Sequence, residues 1–135
     1  MRIMLDTNVV IDVLLDREPF ADASSTVLKL CEDRHFDAFV SASAITDIFY
    51  LVRKHTNSAE RAYNAIETLL RVVDVCKVTD HEVKMALKLH KNDFEDCLVA
   101  ECAKSAMCEC VVTRNKKDFD GLGIDVLTPT ELLKQ

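Results

Sequence analysis

Residues 2–15 read RIMLDTNVVIDVLL. The first four, RIML, form a short apolar run that stops at Asp6, and from Asn8 to Leu15 the pattern turns helical, so a strand passes into a helix. An acid sits at that junction. Asp6 and Asp12 also interrupt the apolar stretch, which suits neither a secretory leader nor a membrane span. The expectation is a cytoplasmic protein with no membrane association.

The same alternation continues outward. A helix is expected over 22–33, with Val27, Leu28, Leu30 and Cys31 on one stripe, and DAFVS (37–41) reads as a second strand. From Ser43 to His55, Ile45, Ile48, Phe49 and Val52 recur at steps of three and four, giving an amphipathic helix that contains Asp47. Another helix runs from Ser58 to Leu70, and VVDVCKV (72–78) is the third strand. Thr79-Asp80-His81-Glu82 has the form of a capping box that opens a helix to His90. The spacing predicts a further helix over 93–107 with Asp96 in its first turn, then the strand ECVVT (109–113), the loop RNKKDFDGLG and the strand IDVL (124–127). Thr128-Pro129-Thr130-Glu131 joins a capping box to a proline at the first helical position and starts a closing helix. Strands separated by helices predict an α/β layer structure whose sheet is mainly parallel, because parallel neighbours need long crossovers. At 135 residues the chain is expected to form one domain over 1–135, burying roughly two thirds of the surface the unfolded chain exposes.

Composition narrows the function. Hydrophobic residues at 49% and charged residues at 30% exclude a disordered or fibrous chain. The net charge of -6 argues against clinging to nucleic acid through a basic surface, so any such role must use local features. Two glycines and no GxGxxG or P-loop pattern remove the main support for nucleotide binding. The six cysteines (31, 76, 97, 102, 108, 110) include no CxxC pair and are expected to be buried thiols; Cys108 and Cys110 share one side of a strand, but no second pair completes a zinc set. Cys97 adjoins Asp96 on an inward position without a base to activate it, and the four histidines (35, 55, 81, 90) share no motif.

The carboxylates remain. In open parallel sheets ligands bind beyond the carboxyl ends of strands, which favours Asp6 and Asp118. Each acid also has a plain structural reading. Asp6 suits a turn or cap, Asp96 a first helical turn, and Asp118 a mixed-charge loop. Asp47 adjoins the apolar stripe and is expected to be partly buried, where an unpaired carboxylate must pair, protonate or bind a cation. Together the four suit a hard cation such as Mg²⁺ or Mn²⁺, which prefers oxygen ligands. Crowded within about 6 Å, they would repel by a few kcal/mol per ionised pair, a strain that a divalent ion relieves.

LDTNVVIDVLL (5–15), SASAITDIFYLVRK (41–54), DFEDCLVAECAK (93–104) and VVTRNKKDF (111–119), in that order, resemble the PIN-domain nucleases, most closely their VapC-like prokaryotic members. The resemblance covers nearly the whole chain. It implies a three-layer fold with a five-stranded sheet and acids gathered at one end around Mg²⁺ or Mn²⁺. By position, Asp6 and Asp96 would be the principal ligands, with Asp47 and Asp118 completing the cluster and Asn8, Thr113 and Asn115 supporting it. Asp93 would be either a cap or a supporting acid, and Asp120 a loop residue. The acid on the second motif is often Glu in the family; Asp47 is one methylene shorter, which points to a water-mediated contact.

The implied activity is metal-assisted hydrolysis of RNA phosphodiesters by an endoribonuclease, the toxin of a type II toxin–antitoxin pair. A cognate antitoxin and a second copy of the chain in a homodimer are the implied protein partners. Arg53, Lys54, Arg114, Lys116 and Lys117 are candidates for the basic rim that would meet RNA. An alternative is a catalytically weak module that uses the acidic pocket to bind RNA or protein. A phosphate-accepting receiver domain matches in size and class, but Thr7 stands where its second acid is needed and Asp47 lies within a helix.

Overall fold

A computed structural model describes residues 1–91 and 93–135. Five strands, β1 (Arg2–Leu5), β2 (Asp37–Ser41), β3 (Asp74–Cys76), β4 (Cys110–Val112) and β5 (Asp125–Leu127), form one sheet in the order β3-β2-β1-β4-β5. Every adjacent pair is parallel, a stricter arrangement than the mainly parallel sheet expected. The helices are α1 (Thr7–Leu14), α2 (Ala21–Glu32), α3 (Ala42–Thr56), α4 (Ala59–Leu69), α5 (Asp80–Leu89), α6 (Phe94–Ser105) and α7 (Pro129–Leu133).

Side chains alternate across a strand, and the sheet uses both faces. Ile3 and Leu5 of β1 pack with Val9, Val10, Val27, Ile48 and Leu132 on one side. Met4 and Val111 point the other way into a second core with Ala86, Cys97, Val99 and Cys102. This makes three layers. Helix α6 is buried from Cys97 through Ala103, which explains why its apolar pattern extends almost all round.

The local signals explain the helix starts. Glu82 and Glu131 complete the capping boxes of α5 and α7, and Pro129 opens α7. Asp93 caps α6 by accepting from the backbone N–H groups of Glu95 (2.9 Å) and Asp96 (3.3 Å). The strands are shorter than expected, β3, β4 and β5 keeping three residues each, and the loop after β4 contains a 3-10 turn over Lys116–Phe119. Asp118 therefore sits on a short turn rather than directly after the strand.

The strand order positions the site. From β1 the chain moves to β2 and β3 on one side, then returns to β4 and β5 on the other. Connections leaving β1 and β4 thus diverge, opening a crevice at their carboxyl ends. Leu5 is in register with Val112, so Asp6 and Thr113 emerge side by side.

Candidate active site

Asp6 is buried where β1 gives way to α1. Its Oδ1 accepts from the Thr7 backbone N–H at 2.9 Å; its Oδ2 accepts from the Thr113 hydroxyl at 2.8 Å and from Asn8 Nδ2 at 3.3 Å. Asn8 Nδ2 also donates to Thr113 Oγ1 at 3.2 Å, and the Asn115 N–H donates to the same oxygen at 3.2 Å. The ends of β1 and β4 are thereby tied to one carboxylate. Burial pushes the Asp6 carboxyl up, the Thr113 and Thr7 hydrogen bonds pull it back, and the charges of Asp118 and Asp93 push it up again.

Asp96, half-buried in the first turn of α6, is the most perturbed of the acids. Desolvation first, then the charges of Asp93, Asp6, Asp118 and Glu95, raise it to about 7. Four acids from three segments of chain therefore act on one carboxyl. Asp93, Asp96, Asp118 and Asp120 line a pocket with His90, Lys91 and Lys117. Among the described residues, no three Asp, Glu, His or Cys side chains already stand in the spacing of ligands to one ion. Their donor chemistry nevertheless fits a hard divalent cation: oxygen ligands whose mutual repulsion such an ion relieves.

Asp47 departs from expectation. It is exposed, because α3 buries Ala44, Ile48 and Val52 and leaves Asp47 off that stripe. Its charge acts on Glu95 at the start of α6: desolvation first, then the Asp47 charge, raises the Glu95 carboxyl to about 6. Glu95 was missed by reading the sequence. It lies between the two acids singled out in DFED, and adjacent helix positions do not share a face.

The five basic candidates separate. Arg53 and Lys54 lie in the last turn of α3 beside Tyr50 and Asn57, on a different concavity from the acids. Lys116 pairs with Glu131 at 3.1 Å, and Arg114 Nε donates to Asp12 Oδ2 at 2.7 Å. Lys117 alone of the five lines the acidic pocket. Lys91 and His90 join it there, unforeseen; the left-handed His90 (φ 50°) ends α5, and Gly121 leaves room for the Lys91 ammonium, which would lie 3.3 Å from an added Cβ. Among the described residues neither Lys91 nor Lys117 forms an ion pair.

Comparison with known proteins identifies the family. The PIN-domain family profile matches residues 2–117. The chain belongs to the PIN-domain family. No curated protein is matched by its sequence. Solved PIN-fold structures similar to it include VapBC2 from Rickettsia felis, bound to a DNA fragment from its promoter, with TM-score 0.75 at 18% identity over 95% of this chain and 98% of that one. DNA-bound VapBC from Salmonella typhimurium gives 0.74 at 19%, over 96% and 98%. VapC20 from Mycobacterium tuberculosis, a toxin that cleaves the sarcin–ricin loop, gives 0.65 at 14%, over 81% and 86%. These likenesses establish the fold of this PIN domain. No helix among its described residues is long and apolar enough to cross a membrane.

Proposed function

We propose that this PIN domain is a divalent-metal-dependent endoribonuclease and the toxin of a toxin–antitoxin pair. The observation that carries the reading is the gathering of Asp93, Asp96 and Asp118 around one pocket, with Asp6 at the neighbouring ends of β1 and β4. Family membership supports a nuclease, and the fold likeness to VapBC proteins supports an antitoxin partner. A homodimer and an RNA substrate complete the proposal.

Asp6, Asp96 and Asp118 are the residues that would hold Mg²⁺ or Mn²⁺. Asp93 keeps α6 capped and adds charge from outside the set. A bound ion supplies Lewis-acid activation of the phosphoryl group and of water. Thr113 and Asn8 fix the orientation of Asp6 so that its oxygens need not be reorganised during reaction, while Asn115 braces Thr113. Lys117, Lys91 and His90 would take the RNA phosphates at the pocket's edge.

A second reading, a catalytically weak module that binds RNA or protein through the acidic pocket, is favoured by one observation: Asp47 is exposed and does not line the pocket of Asp96 and Asp118. Incubating the protein with total cellular RNA and Mn²⁺ and mapping new RNA ends separates the two. Discrete new ends that vanish for Asp96→Asn support the nuclease. RNA binding without new ends supports the module.

A further inference from the structure

Arg114 is the basic residue that flanks Thr113 most closely, and the structure gives it a different occupation from meeting RNA. Its Nε donates to Asp12 Oδ2 at 2.7 Å, and its guanidinium lies 4.2 Å from the centre of the Phe20 ring. Asp12 is fully buried, and its other oxygen, Oδ1, has no hydrogen-bond partner among the described residues. Arg114 is thus the cation that compensates a carboxylate inside the protein. Swinging it away to a phosphate would strand that charge in the core, so the ion pair opposes such a movement even though the Arg114 side chain stays 26% exposed and lines a concavity with Lys116, Lys117 and Asp118.

The backbone of Arg114 is tied to the same helix. Its N–H donates to Asn8 Oδ1 at 3.4 Å, and Asn8 and Asp12, four residues apart, occupy one face of α1. One residue after β4 therefore grips α1 at two successive turns, by main chain at Asn8 and by side chain at Asp12. Beside it, Thr113 reaches Asp6, Asn115 braces Thr113, and the Asn115 carbonyl accepts from the Asp118 N–H at 3.1 Å. Phe20, from the segment before α2, closes over the guanidinium.

We infer that Arg114 and Asp12 form a positioning pair: their ion pair, buried at Asp12 and partly exposed at Arg114, clamps the 113–118 segment onto α1 and sets where Asp118 stands relative to Asp6. Neither belongs to the set of acids that would hold the metal. This rests on the metal-nuclease reading above and assigns the residues that hold its ligands in place. Groups that orient metal ligands typically change metal affinity or activity by about 10–100-fold when lost.

The test removes both charges together, as Asp12→Asn/Arg114→Met, so that neither is left buried alone. Mn²⁺ binding is measured by calorimetry without RNA, and kcat and KM on a short single-stranded RNA containing a mapped cleavage site. The expected result is a Mn²⁺ Kd raised about tenfold or more and a comparable fall in kcat, with KM within about threefold of wild type and a retained circular-dichroism spectrum. Arg114→Lys, which keeps the charge but lacks the planar guanidinium, is expected between wild type and the double variant and decides the matter should the double variant not fold. Unchanged Mn²⁺ affinity in either folded variant overturns the positioning role, and a raised KM beside it makes Arg114 a substrate contact instead. Wild-type protein that neither binds Mn²⁺ nor cleaves RNA overturns the nuclease reading itself, and the pair's role with it.

Discussion

Replacing Asp96 with asparagine should stabilise the metal-free protein. In the fold this carboxyl titrates at about 7 rather than 3.8, because it is partly desolvated and faces Asp93, Asp6, Asp118 and Glu95. At 1.36 kcal/mol per pKa unit, a fully buried group so displaced would cost about 4 kcal/mol when ionised. Asp96 is only half-buried, and solvent screening reduces the cost to about 1–2 kcal/mol. Losing a negative charge in the first turn of α6 gives back about 0.5 kcal/mol of helix-dipole stabilisation. The repulsion wins by about 1 kcal/mol, or about 3–4 °C in Tm for a chain of this size. The sign depends on pH. A carboxyl whose folded pKa is raised binds its proton more tightly in the fold, so wild-type stability declines as pH rises from 3.8 to about 7. Asp96→Asn should therefore match wild type near pH 4 and exceed it at pH 8, in thermal melts with a chelator present. Saturating Mn²⁺ should raise the wild-type Tm more than the variant's, because the proposed site would bind the ion through the native carboxylates. A variant that melts below wild type at pH 8 in chelator refutes the repulsion argument.

Thr113→Val removes a fully buried hydroxyl that donates to Asp6 and accepts from Asn8 and Asn115, and should cost about 1–3 kcal/mol in urea unfolding, with Thr113→Ser recovering most of it. Glu82 is held at about 2 by the Thr79 hydroxyl, the Thr79 backbone N–H and the Ser105 hydroxyl, so its stabilising effect is present above 4.5 and lost as pH falls through about 2. The stability gap between wild type and Glu82→Gln should accordingly narrow between pH 5 and pH 2.5 in chemical denaturation. Burial pushes Cys31 and Cys110 up to about 11 and Cys102 and Cys108 to about 12, so a thiol reagent at pH 8 should label the native protein slowly and all six cysteines once it is unfolded.

What the sequence made legible was mostly local. The apolar run ending at Asp6, the cap at Asp93 and the two capping boxes each place their signal within a few residues of its effect, and the structure bears out those elements. The site needed more. Arg114 finds Asp12 across 102 residues of chain, a pairing set by the adjacency of β1 and β4 rather than by any spacing. Asp47 adjoins an apolar stripe, yet the choice of Ala44, Ile48 and Val52 as its buried line leaves the acid exposed, a matter of tens of degrees around the helix axis. Glu95 and Lys91 are ordinary surface charges in sequence; it takes the packing of α5 on α6, of α6 on the turn at 116–119, and the room left at Gly121 to bring Lys91 to the acids, while Glu95 feels Asp47 from another helix. Asp118 escaped a correct placement because the short turn that carries it depends on the brace at Thr113, not on local apolar periodicity.

The proposed activity is RNA hydrolysis by the carboxylates gathered beyond the ends of β1 and β4 with a divalent ion. Its most direct test is cleavage of end-labelled RNA by wild type and by folded Asp6→Asn, each with Mn²⁺ and with chelator. Wild type should cleave with Mn²⁺ and not with chelator, and Asp6→Asn in neither condition. Equal cleavage by Asp6→Asn, or cleavage by wild type that persists in chelator, contradicts it.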